Sequence, residues 1–447
     1  MFENIISQPA ACQLRDDILS RRLAPSMLFF GPPASGKGST AIELSRALSC
    51  QASRSAHSAQ DAPCDAPWGC TCPSCTRHRM LLHGDLAMIG PRSFSAEIAA
   101  SRAAFLRDST SMPGRLLFIR SLRKLLSRFA PSVWEYESRS GRINPLLLLQ
   151  SLEEDLDEFD LPADGVPQAK YEKITESLVK NALKLESECL SESIPIAQVR
   201  KAAYWSRLSP AGNRKILIIE NADRMEEKAS NALLKLLEEP PALVSIILTA
   251  QRREAVMPTI LSRLRPYRFM TRSTEQEQEI IRRVFRDSLA GGISVNDYLD
   301  SFLPQPPEKV LPLAAFFIAS VARSAALAAK GRAFPLSPVF VALGSYCAPI
   351  AESAGLDRTT EVKETITTLI SASSNFEGRS FPRFLALVLD LVSWSLAECS
   401  PNPILVNCRE IWKKHIGQAQ AAYGIWNQRP EPVLESLFCR LREEMVR

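Results

Sequence analysis

Four short stretches of the chain are apolar at nearly every position: Met27-Leu28-Phe29-Phe30, Leu86-Ala87-Met88-Ile89, Lys215–Ile219 and Val244–Thr249. Runs of this length without polar alternation predict strands buried on both faces. Between them the apolar residues recur at helical spacing, predicting helices over Ala11–Arg22, Ser39–Leu48, Ile196–Arg207, Ala229–Glu238 and Met257–Arg263. Pro240-Pro241 stops the fourth of these. Strands alternating with helices predict an α/β module, a parallel sheet with helices on both faces. From about Thr274 onward the pattern is helical throughout, with proline-rich breaks at Pro304–Pro307 and Pro401–Pro403. Two helical domains are expected there, divided near Pro304–Pro312.

The region 91–193 interrupts the alternation. Arg92–Arg142 carries ten Arg/Lys against four Asp/Glu, and Glu153–Glu192 carries four Lys against twelve Asp/Glu. Both arms have helical periodicity, as in Leu116, Leu117, Ile119, Leu122, Leu125 and Leu126. Opposite charges suit two antiparallel helical arms lying on each other; the alternative is two solvated faces that never meet.

With 447 residues, 46% of them hydrophobic and 23% charged, the chain has the composition of a soluble globular protein of about three domains. A net charge of +5 is too small for a protein that coats DNA. Met1-Phe2-Glu3-Asn4 has neither the basic nor the apolar region of a secretion signal, and runs such as Val310–Val321 are too short and interrupted to span a bilayer. The expected setting is a reducing cytoplasm, with no membrane partner.

Met27–Thr40 reads MLFFGPPASGKGST and contains G-x-x-x-x-G-K from Gly31 to Lys37, between a buried strand and a helix. That is the context of a phosphate-binding loop made of Gly31, Pro32, Pro33, Ala34, Ser35, Gly36, Lys37, Gly38 and Ser39. Gly36 lets backbone N–H groups approach phosphate, Lys37 reaches terminal phosphate oxygens, and the helix N-terminus adds its dipole. ATP or ADP is the expected ligand. The residue after the lysine should carry a hydroxyl for Mg²⁺, but it is Gly38, and Ser39 comes one place late. Mg²⁺ binding and efficient hydrolysis are therefore not expected. The K-G-[ST] ending also resembles adenylate kinases, a rival reading that explains neither the cysteines nor the long helical C-terminus.

Five of the eleven cysteines, Cys50, Cys64, Cys70, Cys72 and Cys75, fall within 26 residues. In a cytosolic chain this clustering points to metal before disulfides. Four thiolates make a closed tetrahedral Zn²⁺ site of structural kind, which would knit a long loop lacking its own core. The favoured set is Cys50, Cys70, Cys72 and Cys75, with Cys64 as the substitute; His57 and His78 are weaker options.

Lys215–Met225 reads KILIIENADRM, an apolar run closed by an acidic residue, and resembles a Walker B strand. The metal-holding and water-polarising positions are occupied by Glu220 and Asn221. Asn221 has no carboxylate to accept a proton. Asp223 is expected to lie too far round to substitute. In SNALLKLLEEPP, Ala232, Leu233, Leu236 and Leu237 form a core stripe. Arg263 reads by itself as an exposed arginine at a helix end.

FENIISQ at Phe2, GPPASGKG at Gly31, the cysteines, HGDL at His83, IPIAQVRK at Ile194, IIENADRM at Ile218, NALLKLLEEPP at Asn231 and TILSRLRP at Thr259 occur in the order seen in bacterial DNA polymerase III clamp loaders. WNQRPEPVLESLF at Trp426 looks like the end of their last helix. The chain thus resembles that AAA+ family over roughly residues 1–90 and 194–270 and its tail. The resemblance implies an AAA+ P-loop module over 1–270, with its cysteine loop at 50–75 and an insertion at about 91–193. An all-α lid (271–310) and an all-α collar domain for oligomerisation (311–447) would follow. The family's gamma/tau motors keep G-K-[ST] and a D-E pair; this chain has neither and is similar to the non-motor, delta-prime branch. The S-R-C motif appears as Ser262-Arg263-Leu264, so its arginine survives and its cysteine does not; the resemblance implies that Arg263 acts in trans on a neighbour's ATP. Implied partners are gamma/tau motor and delta subunits in a heteropentamer, the sliding clamp, and primer-template DNA through the assembly. The insertion departs from the family; a partner site, a DNA contact and an inert decoration all remain open for it.

Overall fold

The computed structural model describes residues 1–52, 66–134, 145–160, 167–191, 193–288, 291–303, 307–329, 338–357, 359–373, 376, 380–397, 403–424 and 428–446. Cys64, His57 and Trp426 lie outside these residues. The chain falls into two units, Met1–Leu299 and Asp300–Arg447.

The first unit is built on a five-stranded parallel sheet: β1 (Ser26–Phe30), β2 (Leu86–Ile89), β3 (Lys215–Ile219), β4 (Val244–Ala250) and β5 (Arg265–Arg268), in the order β2-β3-β4-β1-β5. Register such as Leu28↔Leu248 and Ile218↔Ile247 makes the uninterrupted apolar runs intelligible. Alternate side chains leave opposite faces of a strand, and both faces are covered here. Leu28, Ile89, Leu217, Ile219, Ile246 and Leu248 join one core with α8 (Ile196–Arg207) and α9 (Glu227–Glu238). Met27, Phe29, Met88, Ile216, Ile218 and Ile247 join the other with α1 (Pro9–Leu19) and α2 (Lys37–Ser49). The stripe of α9 is Ala229, Leu233, Leu236 and Leu237, with Ala232 at its margin.

The expected helix Met257–Arg263 is shorter, Pro258–Leu261 (α10), because the chain then enters β5. That strand was not predicted. Its sequence, Arg-Pro-Tyr-Arg, has one apolar side chain facing in, Tyr267, and a proline acceptable at an edge. Tyr267 and Arg265 share the Asp17 carboxylate, at 2.7 and 2.9 Å.

In the insertion, α4 (Ser95–Arg107) and α5 (Met112–Leu126) belong to the basic arm, and α6 (Pro145–Asp160) and α7 (Gln168–Cys189) to the acidic one. The arms meet. What joins them is an apolar core containing Phe105, Phe118, Phe159, Tyr171 and Leu178. Arg115 lies among its aromatic rings and donates to the Tyr171 hydroxyl at 2.7 Å.

After β5, Ser273 and Gln276 form a reciprocal capping box at the start of α11 (Thr274–Val284), and α12 (Val295–Asp300) follows. The second unit contains α13 (Pro307–Ala329), α14 (Pro338–Glu352), α15 (Val362–Ala372), α16 (Ser380–Ala397), α17 (Pro403–Gly424) and α18 (Pro430–Val446). Helix α13 is at its centre, with Phe316, Phe317 and Ile318 wholly buried. Its Val310–Ala329 segment is long and apolar enough for a membrane, but 72% of its most apolar window is buried. Packing in a core explains that composition.

Candidate functional site

Strand β1 delivers the chain to the loop Gly31–Gly36, and α2 begins at Lys37, two residues before the expected start. Two glycines are required. Gly31 has φ 150, and a Cβ there would meet the Phe269 carbonyl oxygen at 2.3 Å. Gly36 is left-handed at φ 93 and caps α2. Lys37 folds onto the loop itself: its ammonium donates to the carbonyls of Gly31 (2.7 Å) and Pro32 (2.5 Å) and to Ser35 Oγ (3.2 Å). From outside, Arg272 donates to the carbonyls of Ala34 (3.0 Å), Ser35 (2.8 Å) and Ile6 (3.1 Å). Arg272 tethers the loop, the N-terminal segment and the approach to α11 together. Sequence reasoning missed it, since nothing in its neighbourhood marks an arginine four residues past a strand.

A cleft of about 460 Å³ opens at the carboxyl ends of β1, β4 and β5, where parallel sheets ordinarily take ligands. Gly31, Pro32, Arg252, Arg253, Arg268 and Glu254 are among its walls, three cations against one carboxylate. The loop, the lysine and this cationic cleft are together suited to an anionic ligand.

The acidic end of β3 differs from expectation in its partners. Glu220 is buried and accepts from Arg128, at the turn after α5; Lys124 of α5 lies 3.4 Å away. Burial by itself would raise its carboxyl pKa, but Lys124 and Arg128 hold it below the usual carboxylate range. Gly38 is beside it: a Cβ on Gly38 would stand 2.8 Å from Glu220 Oε1. Asn221 is left-handed at φ 51, a conformation asparagine tolerates, and its N–H donates to Thr249 Oγ1 at 3.0 Å. Asp223 lies in the short helical turn Ala222–Arg224 that follows. It takes a backbone hydrogen bond from Gln251 and feels the charge of Lys37, yet burial pushes its carboxyl pKa up. Its Oδ1 has no hydrogen-bond partner among the described residues.

The structure brings the favoured four together: the sulfurs of Cys50, Cys70, Cys72 and Cys75 all lie within 4.8 Å of one another. The end of α2 supplies Cys50, and the start of α3 (Pro73–Arg79) supplies Cys72 and Cys75. Burial opposes ionisation of Cys72, but backbone N–H groups of Cys75 and Gln51, with neighbouring thiols, bring it down to about 6. Burial pushes Cys75 up to about 11. Four soft donors at this separation fit a tetrahedral metal centre. His78 does not join the set; it is buried, stacked on His83 at 4.0 Å, and pulled down to about 3 by burial, with His83 and Arg46 adding to the effect.

Arg46 anchors this loop. Its guanidinium donates to both oxygens of Glu43 (2.7 and 3.0 Å), to the carbonyls of Ala66 (2.6 Å) and Pro67 (3.1 Å), and to Cys75 Sγ (3.1 Å). The HGDL segment also acts structurally. His83 Nδ1 accepts from the Asp85 N–H, which assigns the proton to Nε2 and a bond from it to Ser74 Oγ. Asp85 accepts from the N–H groups of Ala211 (2.9 Å) and Gly212 (2.6 Å). Arg263 follows α10, 34% exposed, and donates to Glu238 at 2.8 Å and to the Thr259 carbonyl at 2.6 Å.

Residues 165–273 match the family model described as DNA polymerase III, delta subunit. A stretch of 80 residues is 36% identical to the DNA polymerase III subunit delta' of Pseudomonas aeruginosa, covering 18% of this chain and 24% of that protein. The match therefore spans about a quarter of the length of this relative. Among solved structures, a DNA polymerase III gamma subunit-related protein from Thermotoga maritima is similar over 57% of this chain and 81% of its own, at 18% identity and a TM-score of 0.26.

Proposed function

We propose that this chain, a relative of the clamp-loader subunits of DNA polymerase III, serves as a delta-prime-like subunit that assists ATP-hydrolysing motor subunits without being a motor itself. The observation that carries this reading is the pair of positions 38 and 220–221. Gly38 offers no hydroxyl, Asn221 offers no base, and Glu220 is already paired with Lys124 and Arg128. In this reading the segment 271–310 is the lid and 311–447 the collar, through which the chain joins gamma/tau and delta subunits in a cytoplasmic replication complex. The assembly opens the sliding clamp and places it on primed DNA. The four cysteines hold structural Zn²⁺, and the phosphate loop retains ATP or ADP without turning it over. Arg263 would leave Glu238 and reach the terminal phosphate of a neighbour's ATP, where a fixed positive charge offsets the charge that develops in phosphoryl transfer.

The deciding experiment is steady-state hydrolysis by the purified chain. The expected rate is no higher than background, and turnover abolished by Lys37→Ala overturns the non-motor reading. One observation favours a motor instead: Asp223, half-buried, has a carboxylate oxygen with no hydrogen-bond partner among the described residues and feels the charge of Lys37. If it replaces the missing base, Asp223→Asn must abolish hydrolysis together with Lys37→Ala.

A further inference from the structure

A phosphate-loop enzyme holds its divalent metal between the hydroxyl that follows the loop lysine and the carboxylate ending the acidic strand. Here those two positions touch. A side chain on Gly38 would collide with Glu220, so the carboxylate already lies against the first turn of α2. Both of its oxygens are engaged: Arg128 donates to Oε2, and Lys124 lies 3.4 Å from Oε1. Lys124 is held in turn by Glu97 Oε2 at 2.9 Å. The insertion provides the cations and Glu97, and the sheet provides Glu220.

The arrangement is built into the fold. The Arg128 side chain is 1% exposed and that of Glu220 is 11% exposed. A Cβ on Gly90, at the end of β2, would come within 3.1 Å of Glu220 Cβ and 3.2 Å of the Arg128 guanidinium, so glycine is what leaves room for the pair. The buried ring of Phe94 faces both cations, at 5.3 Å from Arg128 and 5.9 Å from Lys124. Two carboxylates, Glu97 and Glu220, face two cations, Lys124 and Arg128, and Glu97 also feels the charge of Arg120, so no negative charge is left uncompensated. A divalent ion at Glu220 would add two uncompensated positive charges beside a guanidinium and an ammonium in a buried place, where such repulsion is poorly screened. The donors for magnesium therefore do not fit.

We propose that Lys124 and Arg128 of the insertion are a built-in counter-cation for Glu220, standing where a phosphate-loop enzyme holds its divalent metal and closing the site to that metal. This assigns the insertion a task at the nucleotide site. It is independent of the subunit reading, since the pairing is internal to one chain and would exclude metal whatever complex the chain joined.

The test is a titration of the full chain with Mn²⁺ in the presence of ADP, followed by electron paramagnetic resonance. The wild type is expected to give only the signal of Mn²⁺ bound to ADP in solution. A protein-bound Mn²⁺ signal that Glu220→Gln abolishes would overturn the proposal. The double variant Lys124→Gln/Arg128→Gln, if folded, should gain a bound Mn²⁺ that disappears when Glu220→Gln is added. A folded double variant that gains none also overturns it, since something other than these cations would then be excluding the metal. Should the double variant not fold, Glu220→Gln in the wild-type background decides through its thermal midpoint. Removing the carboxylate leaves the buried Arg128 without its partner, while Lys124 keeps Glu97, and the midpoint should fall. A midpoint that holds or rises would mean that Glu220 is a carboxylate awaiting a metal.

Discussion

At the scale of single residues, the chain concentrates its polar energy in a few buried groups. Arg46 is the clearest. Burial works against its charge, yet Glu43 and the Cys75 sulfur keep it protonated, and three of its five donated bonds, to Ala66, Pro67 and Cys75, tie α2 to the loop that carries the cysteines. Removing one partner of a buried ion pair typically costs about 3–5 kcal/mol, because the other charge is left uncompensated. Arg46→Met should lose that much in chemical denaturation of the first unit; a loss below about 1 kcal/mol would place this pair with exposed ones. Cys347 offers a pH test in the second unit. Burial pushes its thiol up to about 12, above the value of an exposed thiol. A group raised on folding contributes stability that is complete below its unfolded pKa and lost as pH climbs towards the folded one. Stability should therefore fall from about pH 9 upward with a contribution of up to about 1.4 kcal/mol per pH unit from this thiol. Cys347→Val should remove that part of the alkaline slope, measured by thermal midpoint against pH.

At the scale of elements, the insertion is an integral part of the first unit. Its helix α5 supplies Lys124 and, through the turn that follows, Arg128. The end of α4 grips the segment after β5: Arg107 donates to the Phe285 carbonyl and to Tyr298, and pairs with Asp287, while Arg286 pairs with Asp108 at 2.9 Å. Arg120 of the same arm lies 5.9 Å from the ring of Trp68, beside the cysteine loop. The insertion thus touches the acidic strand, the cysteine loop and the α11–α12 segment. The cysteine module is the other element with a direct test. Freshly reduced protein should carry about one Zn²⁺ per chain, read by elemental analysis, and lose it when Cys72 and Cys75 are replaced by serine. Metal-free protein of unchanged stability would dismiss the metal centre.

At the scale of the whole molecule, the predictions concern assembly. Arg263 is one-third exposed, and among the described residues its partners are Glu238, Thr259 and Ser262. In a complex reconstituted with motor and delta subunits, Arg263→Ala should slow hydrolysis at the neighbouring motor's site by about 10³-fold or more if it acts in trans, the scale known for such arginines, and so lower the DNA-stimulated turnover of the complex. Assembly, read by size-exclusion chromatography, should be unchanged; unaltered turnover would limit Arg263 to its bond with Glu238.

Much of this was legible in the chain itself. Continuous apolar runs located β1 to β4, since a strand covered on both faces leaves few positions for a polar residue, and those few, such as Ser245 and Thr249, need hydrogen-bond partners. The glycines and lysine of the loop and four clustered cysteines were also readable, because each demands a residue type at a fixed spacing. The edge strand β5 was not: with one face and one neighbour to satisfy, it needs only Tyr267 to point inward. The partners of Glu220 were hidden for a different reason. Lys124 and Arg128 lie more than 90 positions from it, among other basic residues of an amphipathic arm, and nothing local distinguishes a solvated cation from one aimed at a carboxylate. The sequence alone determined which groups the site lacks, because a missing hydroxyl or carboxylate is a matter of residue identity. Only the tertiary structure decided what stands in their place, because Coulomb pairing depends on distance and burial, which long-range packing sets.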